Sequence, residues 1–388
     1  RDNTMAHVVR QLPAHIIEAQ ENGLHTAGRG PWYCTRILPD HLPVRRQDLL
    51  ASGTTRWVVD RDWTQVADGM MVENTCLPGL ADARDLGAFP ACMVTRVRAL
   101  HQLHPTFIVS GWAAAPFHGL LYWADSAAVL LLAEGRSNGS DRTEIAKGSP
   151  LSPAIRPLPP GFDLERDTIA PDPLCPQMRV VTAPVALAQC LRSVLSGKHG
   201  WPVVEVDGLT DRQVRAVQLI DAFAQCSTVT WNQLEDAATG LISRRELRRL
   251  SRLVAAGAES PRETELRLMV RDLLPAGHRW ETQVEVGYRE ETSWGGTRDR
   301  TTFFDIGCRS LRIGLYYDGK HHDEEGQVEK DFEQLQDLTD GEWIVVRVNR
   351  TLMKNRPKLM RQLHNAIARA VAARQAAAAA QTAAQASK

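Results

Sequence analysis

Residues 301–322, TTFFDIGCRSLRIGLYYDGKHH, predict two adjacent β-strands that each end in an acid, Asp305 in the first and Asp318 in the second. Successive side chains of a strand point to opposite faces, so Asp318 and Lys320 share one face of the second strand. The opposite face is the apolar one that a helix-covered sheet requires, and it carries Leu311, Ile313, Leu315 and Tyr317. Two acids and a lysine can therefore converge on one place. Such a set favours metal-dependent chemistry on a phosphodiester.

The rest of the last third of the chain predicts the order αβββαβ around these two strands. Ser260, Pro261 and Glu263 are residue types typical of the N-cap, N1 and N3 positions, so a helix is expected to begin there. The other predicted elements are a strand at 283–286, a helix at 327–339, a strand at 343–348 and a final helix after Pro357. The Ala-rich residues 373–388 have helix propensity but almost nothing to bury, so a frayed, disordered tail is expected.

Composition limits the kind of partner that the chain can have. Its 388 residues include 46 Lys and Arg and 46 Asp and Glu, so any contact with nucleic acid must come from local patches. The seven cysteines are scattered and form no C-x-x-C pair, which supports neither a disulfide framework nor a zinc ribbon. The sequence shows no apolar run of about 20 residues and no signal-peptide segment. A soluble cytoplasmic protein without a membrane partner is therefore expected.

The front of the chain predicts a small winged helix-turn-helix. Residues 44–74 contain a short helical pattern, a turn at Gly53, a second helical pattern and a strand at 70–72. If this module contacts DNA, Arg45 and Arg46 are its candidate contacts. An α-helical packing module without DNA contact explains the same pattern equally well.

The middle of the chain predicts a mixed α/β region followed by a helical block. Its proline-rich residues 148–176 are expected to form surface loop or sheet edge, because proline is excluded from helix interiors and central strands. Strands are predicted at 107–109, 128–132 and 178–181, a helix within VSGWAAAPFHGL, and four further helices at 184–195, 211–224, 231–237 and 243–256.

The last of these four helices carries a charged arc of arginines opposite an apolar stripe. Arg244, Arg248 and Arg252 belong to the arc, and Ser243 with Glu246 predicts a capping box at its start. Two interpretations stay open. The arginines contact nucleic-acid phosphates, or they form a solvated face.

These patterns together predict an α/β multidomain protein. Its front is winged-helix-like and mixed α/β, its middle is helical, and its last third is an αβββαβ core, an order that resembles the core of restriction endonucleases. The expected segments are 1–75 with the winged-helix-like module, 76–200 as an α/β domain, 201–257 as a helical connector, 258–372 as the nuclease-like domain and 373–388 as the tail.

Four segments of the last third resemble a known family. ESPRETELR, FFDIGCRSLRIGLYYDGKHH, KDFEQLQDL and GEWIVVRVNR resemble the very-short-patch-repair-like branch of the PD-(D/E)XK endonuclease superfamily, whose third strand typically reads E-Y-D-G-x-x-H. Members of that branch often follow a region similar to the abortive-infection type IV antitoxins, with a winged helix and a motif like SxxxAAxxHG. VSGWAAAPFHGL resembles that motif, so the resemblance covers about residues 43–363.

This resemblance implies a metal-dependent endonuclease that acts on double-stranded DNA. Mg²⁺ (or Mn²⁺) prefers one or two carboxylates, which Asp305 and Asp318 can supply. The family uses a glutamate at the position of Glu263 to complete the metal shell or to hold a metal-bound water. Glu263 is explained equally well as the third residue of a capping box, and Asp318 with the next glycine could simply begin a turn. The remaining catalytic candidates are Lys320, for the phosphate or the attacking water, and His321 and His322, as general acid or base.

One residue departs from the family pattern. The chain has Tyr316 where E-Y-D-G has glutamate, which removes one carboxylate from the expected metal shell. Two functions therefore stay open, a Mg²⁺-dependent endonuclease of defence, restriction or repair type, and a non-catalytic DNA-binding regulator or antitoxin with a degenerate nuclease domain. The oligomeric state is also open, with a homodimer as one candidate.

Overall fold

The computed structural model describes residues 35–79, 86–135, 149–255, 257–291, 297–318, 338–339 and 341–386. The chain is mixed α/β, as predicted. It divides into two compact units, unit 1 with Arg1–Pro202 and Arg215–Val254, and unit 2 with Val203–Val214 and Ala255–Lys388. The long stretch of unit 2 begins close to residue 258, where the nuclease-like domain is predicted to start.

Unit 1 begins with two short helices and a small antiparallel sheet. The elements are β1 (Val44–Arg45), α1 (Arg46–Ala51), α2 (Arg56–Asp62), β2 (Trp63–Ala67) and β3 (Met70–Glu73). The sheet order is β1-β3-β2. The helix, turn, helix and strand predicted for residues 44–74 are therefore all present.

A second sheet of unit 1 has five short strands in the order β6-β5-β4-β8-β7. The strands are β4 (Ile108–Ser110), β5 (Leu130–Ala133), β6 (Ala154–Pro157), β7 (Thr168–Ile169) and β8 (Val180–Val181). Both edge strands, β6 and β7, come from the proline-rich residues 148–176. An edge strand leaves one row of backbone groups unpaired, which is where proline is tolerated, so the edge prediction is confirmed.

Six α-helices are described between β3 and residue 255; four of them lie where helices are predicted, and those at 93–103 and 164–167 are not predicted from the sequence. The six are α3 (Met93–Leu103), the single turn α4 (Leu164–Asp167), α5 (Ala183–Leu195), α6 (Asp211–Cys226), α7 (Trp231–Ala237) and α8 (Arg244–Ser251). The prediction that α8 reaches residue 256 is wrong. The amides of Leu253 and Val254 both return to the carbonyl of Leu250, so the chain turns away after Ser251.

The helix predicted within VSGWAAAPFHGL is also wrong, since the segment forms two 3-10 turns, Gly111–Ala113 and Ala115–His118. Gly111 has φ +57°, a left-handed conformation that an α-helix excludes. Gly119 ends the second turn with φ +92°, a left-handed conformation that glycine adopts readily.

Unit 2 contains one long helix-flanked sheet. Its elements are α9 (Pro261–Val270), β9 (Glu281–Glu291), β10 (Thr297–Cys308), β11 (Ile313–Asp318), β12 (Ile344–Asn349), α10 (Arg350–Lys354) and α11 (Arg356–Ala386). The strand order is β12-β11-β10-β9. β11 pairs antiparallel with β10 and parallel with β12. The helix predicted at 327–339 falls almost entirely on 319–337, which lie outside the described residues.

Two apolar clusters cover the two faces of this sheet. One includes Ile313 and Leu315, with Tyr317 packed against it, which confirms the apolar face predicted for β11. The other includes Phe304, with Tyr316 packed against it. Gly314 lies on this second face, and a Cβ there would sit 2.3 Å from the Phe304 ring, so the strand needs glycine at that position.

The Ala-rich end of the chain is helical rather than disordered. α11 continues to Ala386, and most residues after Val371 are exposed. Alanine has the highest intrinsic helix propensity, which allows an already nucleated helix to continue beyond its last buried residue.

Candidate metal and nucleic-acid site

Glu263 is buried at the start of α9 with its carboxyl group hydrogen bonded. Ser260 Oγ accepts the amide of Glu263 at 3.3 Å. The Glu263 carboxyl in turn accepts the Ser260 hydroxyl at 2.8 Å and the amide of Glu259 at 2.8 Å. The predicted reciprocal cap is therefore present, although its return bond goes to the amide one residue before the N-cap.

The same carboxyl group is electrostatically unusual. Glu263 lies on the inward-facing side of α9 and is only 8% exposed. Burial first, and the nearby Asp305 charge second, raise the pKa of Glu263 to about 8. At neutral pH the Glu263 carboxyl therefore holds a proton beside the Asp305 carboxylate, and any cation that enters would release this proton.

Asp305 lies within β10 rather than at its end, so the predicted strand end is wrong. The antiparallel pairing with β11 extends from Cys308 to Ile306 and stops there. Instead, Asp305 Oδ2 accepts the backbone amide of Tyr317 at 2.5 Å. A side-chain carboxylate thus takes the place of a main-chain acceptor, which explains how an acid is accommodated in an apolar strand.

The pairing between β9 and β10 is irregular at the same point. It includes Phe304 with Val284 and Ile306 with Thr282, but no pair that involves Asp305. Gln283, at the skipped position of β9, has φ +49°. Phe304 and Ile306 consequently pack into different clusters, although regular alternation would place them on one face.

Asp318 ends β11, as predicted, and its carboxylate is paired with an arginine that sequence reasoning missed. Arg347 on β12 donates to both carboxylate oxygens, from Nε to Oδ2 at 2.9 Å and from a terminal nitrogen to Oδ1 at 3.2 Å. Both side chains are partly exposed. The only signal that could have found Arg347 is the parallel pairing of β11 with β12, which is not local in sequence.

Tyr316 lies near both Asp305 and Arg347. Its hydroxyl is hydrogen bonded to Thr302 Oγ1 at 2.8 Å, and its ring centroid lies 4.8 Å from that of Phe304. Burial raises the pKa of Tyr316 to about 12, and the charges of Asp305 and Arg347 also act on it, in opposite directions. A neutral phenol therefore stands at the position where the sequence pattern that this segment resembles has glutamate.

The structure brings together only part of the predicted metal set. Glu263 and Asp305 are neighbours, whereas Asp318 is held by Arg347. Among the described residues, no group of three or more His, Cys, Asp or Glu side chains could hold a metal ion. Lys320, His321 and His322 lie outside the described residues. Two carboxyl groups still match what Mg²⁺ takes from proteins, since water and phosphate usually supply its other ligands.

The predicted nucleic-acid contacts lie on unit 1. Arg244, Arg248 and Arg252 are exposed, while Leu247 and Leu250 of α8 are buried, so the amphipathic prediction is confirmed. Ser243 accepts the amide of Glu246 at 3.2 Å and caps the helix. Arg45 is exposed as well, and Arg46 forms an ion pair of 2.6 Å with Asp60.

Comparison with known proteins gives no further assignment. No protein-family model, curated protein or solved structure matches this chain. No helix in the described parts of the chain has both the length and the apolar character of a membrane span.

Proposed function

We propose that this chain is a Mg²⁺-dependent endonuclease that hydrolyses phosphodiester bonds of double-stranded DNA, of defence, restriction or repair type. The observation that carries the proposal is the carboxyl pair of Glu263 and Asp305, a buried carboxyl group on a helix beside a partly buried one on a strand, where β10 parts from β11. Burying the Glu263 carboxyl group beside a second carboxyl group costs free energy, which a bound divalent cation would offset. DNA as the substrate also favours a cytoplasmic protein.

Glu263 and Asp305 would hold the Mg²⁺ (or Mn²⁺) ion. A bound divalent cation would polarise a phosphoryl oxygen and offset the charge that develops during hydrolysis. The chain's own contribution is to keep both carboxyl groups in place, by the Ser260 and Glu259 bonds to Glu263 and the Tyr317 amide bond to Asp305.

Arg347 is placed to exchange its partner. Its guanidinium now binds Asp318 through two bonds, and the same fork geometry suits a phosphate. A DNA phosphate could take Arg347 and leave the Asp318 carboxylate available to the cation. Lys320, His321 and His322, which follow Asp318 in the sequence, stay catalytic candidates.

Unit 1 would supply the DNA contacts. The order β1, α1, α2, β2, β3 is that of a small winged helix-turn-helix, with the β2–β3 hairpin as the wing. Arg45 and Arg46 belong to this module, and the arginines of α8 add an exposed basic face. Contacts of this type would act mainly through phosphates and fix the position of the duplex.

The second candidate function is a non-catalytic DNA-binding regulator or antitoxin. Two contacts favour this function. Asp318 forms an ion pair with Arg347, and the Tyr316 hydroxyl is hydrogen bonded to Thr302. In this case, unit 1 would bind an operator and unit 2 would serve as a scaffold.

A cleavage assay with matched variants tests the first proposal. Purified protein is incubated with supercoiled plasmid and Mg²⁺ or Mn²⁺, with a chelator control. Asp305→Asn is expected to lower the cleavage rate by roughly 100-fold or more, because a lost metal ligand removes several kcal/mol of charge stabilisation. Asp299→Asn, on an exposed part of the same strand with a side chain 90% exposed, should cleave like the wild type. DNA binding by the wild type without cleavage under any of these conditions would favour the regulator.

A further inference from the structure

A cavity of about 520 Å³ lies in unit 2 at the end of the sheet where β11 and β12 begin. Its walls include Leu311 before β11, Ile344 at the start of β12 and Ala373 on α11. Asp318 is at the other end of β11, roughly 16 Å away at about 3.3 Å per strand residue. The cavity is therefore separate from the candidate nuclease site, and its volume is in the range of small-molecule pockets.

The charges around this cavity are unbalanced. Arg369, Arg374 and Glu342 line it, and a third guanidinium, from Arg312, donates to Glu342 Oε2 at 2.7 Å. Arg374 donates to the same carboxylate oxygen and to the Glu342 carbonyl, both at 3.3 Å. Two guanidinium groups thus contact one carboxylate and a third lines the same cavity, which leaves an excess of positive charge.

Two of the arginines keep unused donors. Arg374 Nε is buried and has no hydrogen-bond partner within the described part of the chain. Arg369 is exposed on α11 and forms no hydrogen bond or ion pair with any residue that the structure describes. A buried N–H without an acceptor is unfavourable unless a ligand or water supplies one. Both guanidinium groups therefore suit an incoming anion.

Two residues of this charged cluster have strained backbone conformations. Glu342 has φ +62° and Arg312 has φ +51°, left-handed values that residues with a Cβ rarely adopt. The turn is held by bonds from the Glu342 amide to the Thr339 carbonyl at 2.9 Å and from the Ile344 amide to the Arg312 carbonyl at 2.8 Å. Such conformations persist where the surrounding structure imposes them, and they cluster at ligand sites.

We propose that this cavity is a phosphate-binding site, in which Arg369 and Arg374 bind the phosphate group and Glu342 is the counter-ion of the empty state. Guanidinium groups match phosphate in geometry and charge. The apolar wall, with Ala370, Ala373 and Ile344, suits the body of a small phosphorylated ligand such as a nucleotide. The phosphate could come from a free nucleotide or from a nucleic-acid backbone.

Two substitutions have opposite expected effects. Arg369→Gln removes a charged donor that has no structural partner, so phosphate affinity should fall about tenfold or more. Glu342→Gln removes the competing carboxylate and releases Arg312 and Arg374, so affinity should rise several-fold. Arg361→Gln is the matched control, because Arg361 is an exposed arginine of α11 outside the cavity wall. It should leave affinity unchanged.

Calorimetric titration of the full chain tests this proposal in the absence of divalent metal, so its outcome is independent of the nuclease proposal. The probes are inorganic phosphate, a 5′-deoxynucleoside monophosphate and a short duplex without terminal phosphates. Binding of the mononucleotide with the two opposite shifts supports a free nucleotide. The same shifts for the duplex alone support the nucleic-acid backbone. A wild type that binds none of the probes, or variants that titrate like the wild type, would overturn the site.

Discussion

The carboxyl group of Glu263 caps α9, and its ionised form is disfavoured by its surroundings. Its bonds to Ser260 and to the amide of Glu259 cap α9, while burial beside Asp305 disfavours its charge. The cap alone does not require burial, since Glu246 at the same third position of α8 is partly exposed. The difference between the two helices therefore lies in what surrounds the carboxyl group, and Asp305 is part of it.

The raised pKa of Glu263 predicts a stability that falls with rising pH. The folded state keeps a proton up to about pH 8, whereas in the unfolded chain the Glu263 carboxyl group releases it near its ordinary pKa of 4.5. Between these values the folded state binds more protons, so the free energy of unfolding decreases as pH rises, by an amount on the order of a few kcal/mol, and levels off above pH 8. Glu263→Gln should flatten this slope in urea unfolding measured from pH 5 to pH 8.5.

Glu246→Gln is the matched control for this experiment, because it changes the third residue of another Ser-capped helix. It should leave the pH slope as it is in the wild type. If Glu263→Gln and the wild type lose stability in parallel with rising pH, Glu263 is ionised in the folded protein and the carboxyl pair does not share a proton.

The sequence indicated candidate side chains for the site, but it did not indicate the contacts that position them. The apolar surroundings of Asp305 indicate from sequence that this acid needs a partner. It accepts the amide of Tyr317 at the point where the pairing of β10 with β11 stops and where Gln283 of β9 has a left-handed φ. No local pattern encodes such an irregularity, since it depends on three strands at once.

At the scale of single elements, hydrophobic periodicity predicted the helices correctly where one face of the helix is buried and the other is exposed. α7 spans the predicted residues, and α8 buries Leu247 and Leu250 as its pattern requires. Prediction failed where backbone geometry overrides composition. The residues 111–118 are rich in alanine but contain Gly111 at φ +57°, so they form 3-10 turns instead of an α-helix.

The outer face of α8 leads to a prediction about DNA binding. If Arg244, Arg248 and Arg252 contact phosphates, replacing all three with alanine should weaken binding to every sequence alike. It should also reduce the slope of log K against log salt concentration by roughly 0.9 for each lost contact. Fluorescence anisotropy with a labelled duplex at several salt concentrations measures both quantities.

The triple change of the same arginines to lysine is the control for the arc. Lysine keeps the positive charge, so the salt slope should stay near that of the wild type, although some affinity is lost with the planar guanidinium groups. An alanine variant with an unchanged slope would show that the arc is a solvated face.

At the scale of the whole molecule, the chain consists of two compact units with different chemistry. Unit 1 carries the exposed arginines of α8 and the small sheet at the front, and unit 2 carries the carboxyl pair. The sequence predicted a boundary near residue 258, but it divided the part before that boundary into three segments. It could not indicate Arg347 or the cavity beside Glu342, because both arise from strands and helices that meet only in the folded unit.

Whether unit 2 cuts DNA or serves as a scaffold depends most directly on Tyr316. The phenol is bonded to Thr302 and lies within the influence of Asp305 and Arg347. Tyr316→Glu should place a third carboxylate there, lower stability in the absence of metal and increase cleavage at limiting Mg²⁺. Asp318→Ala should abolish cleavage, because it removes the carboxylate that a DNA phosphate bound to Arg347 would free for the cation, and it takes away the carboxylate that pairs with Arg347. The measurement is the rate of plasmid nicking over a range of Mg²⁺ concentrations.

Tyr316→Phe separates the effect of charge from the effect of shape. Phenylalanine keeps the packing on Phe304 and loses only the bond to Thr302, so a nuclease should cleave at the wild-type rate with this change. In a scaffold none of these variants gains activity, and Asp318→Ala alters only stability. The nuclease proposal fails if the wild type and Tyr316→Glu both bind DNA yet leave every substrate intact, with Mg²⁺ and Mn²⁺ and with methylated, mismatched and single-stranded DNA included.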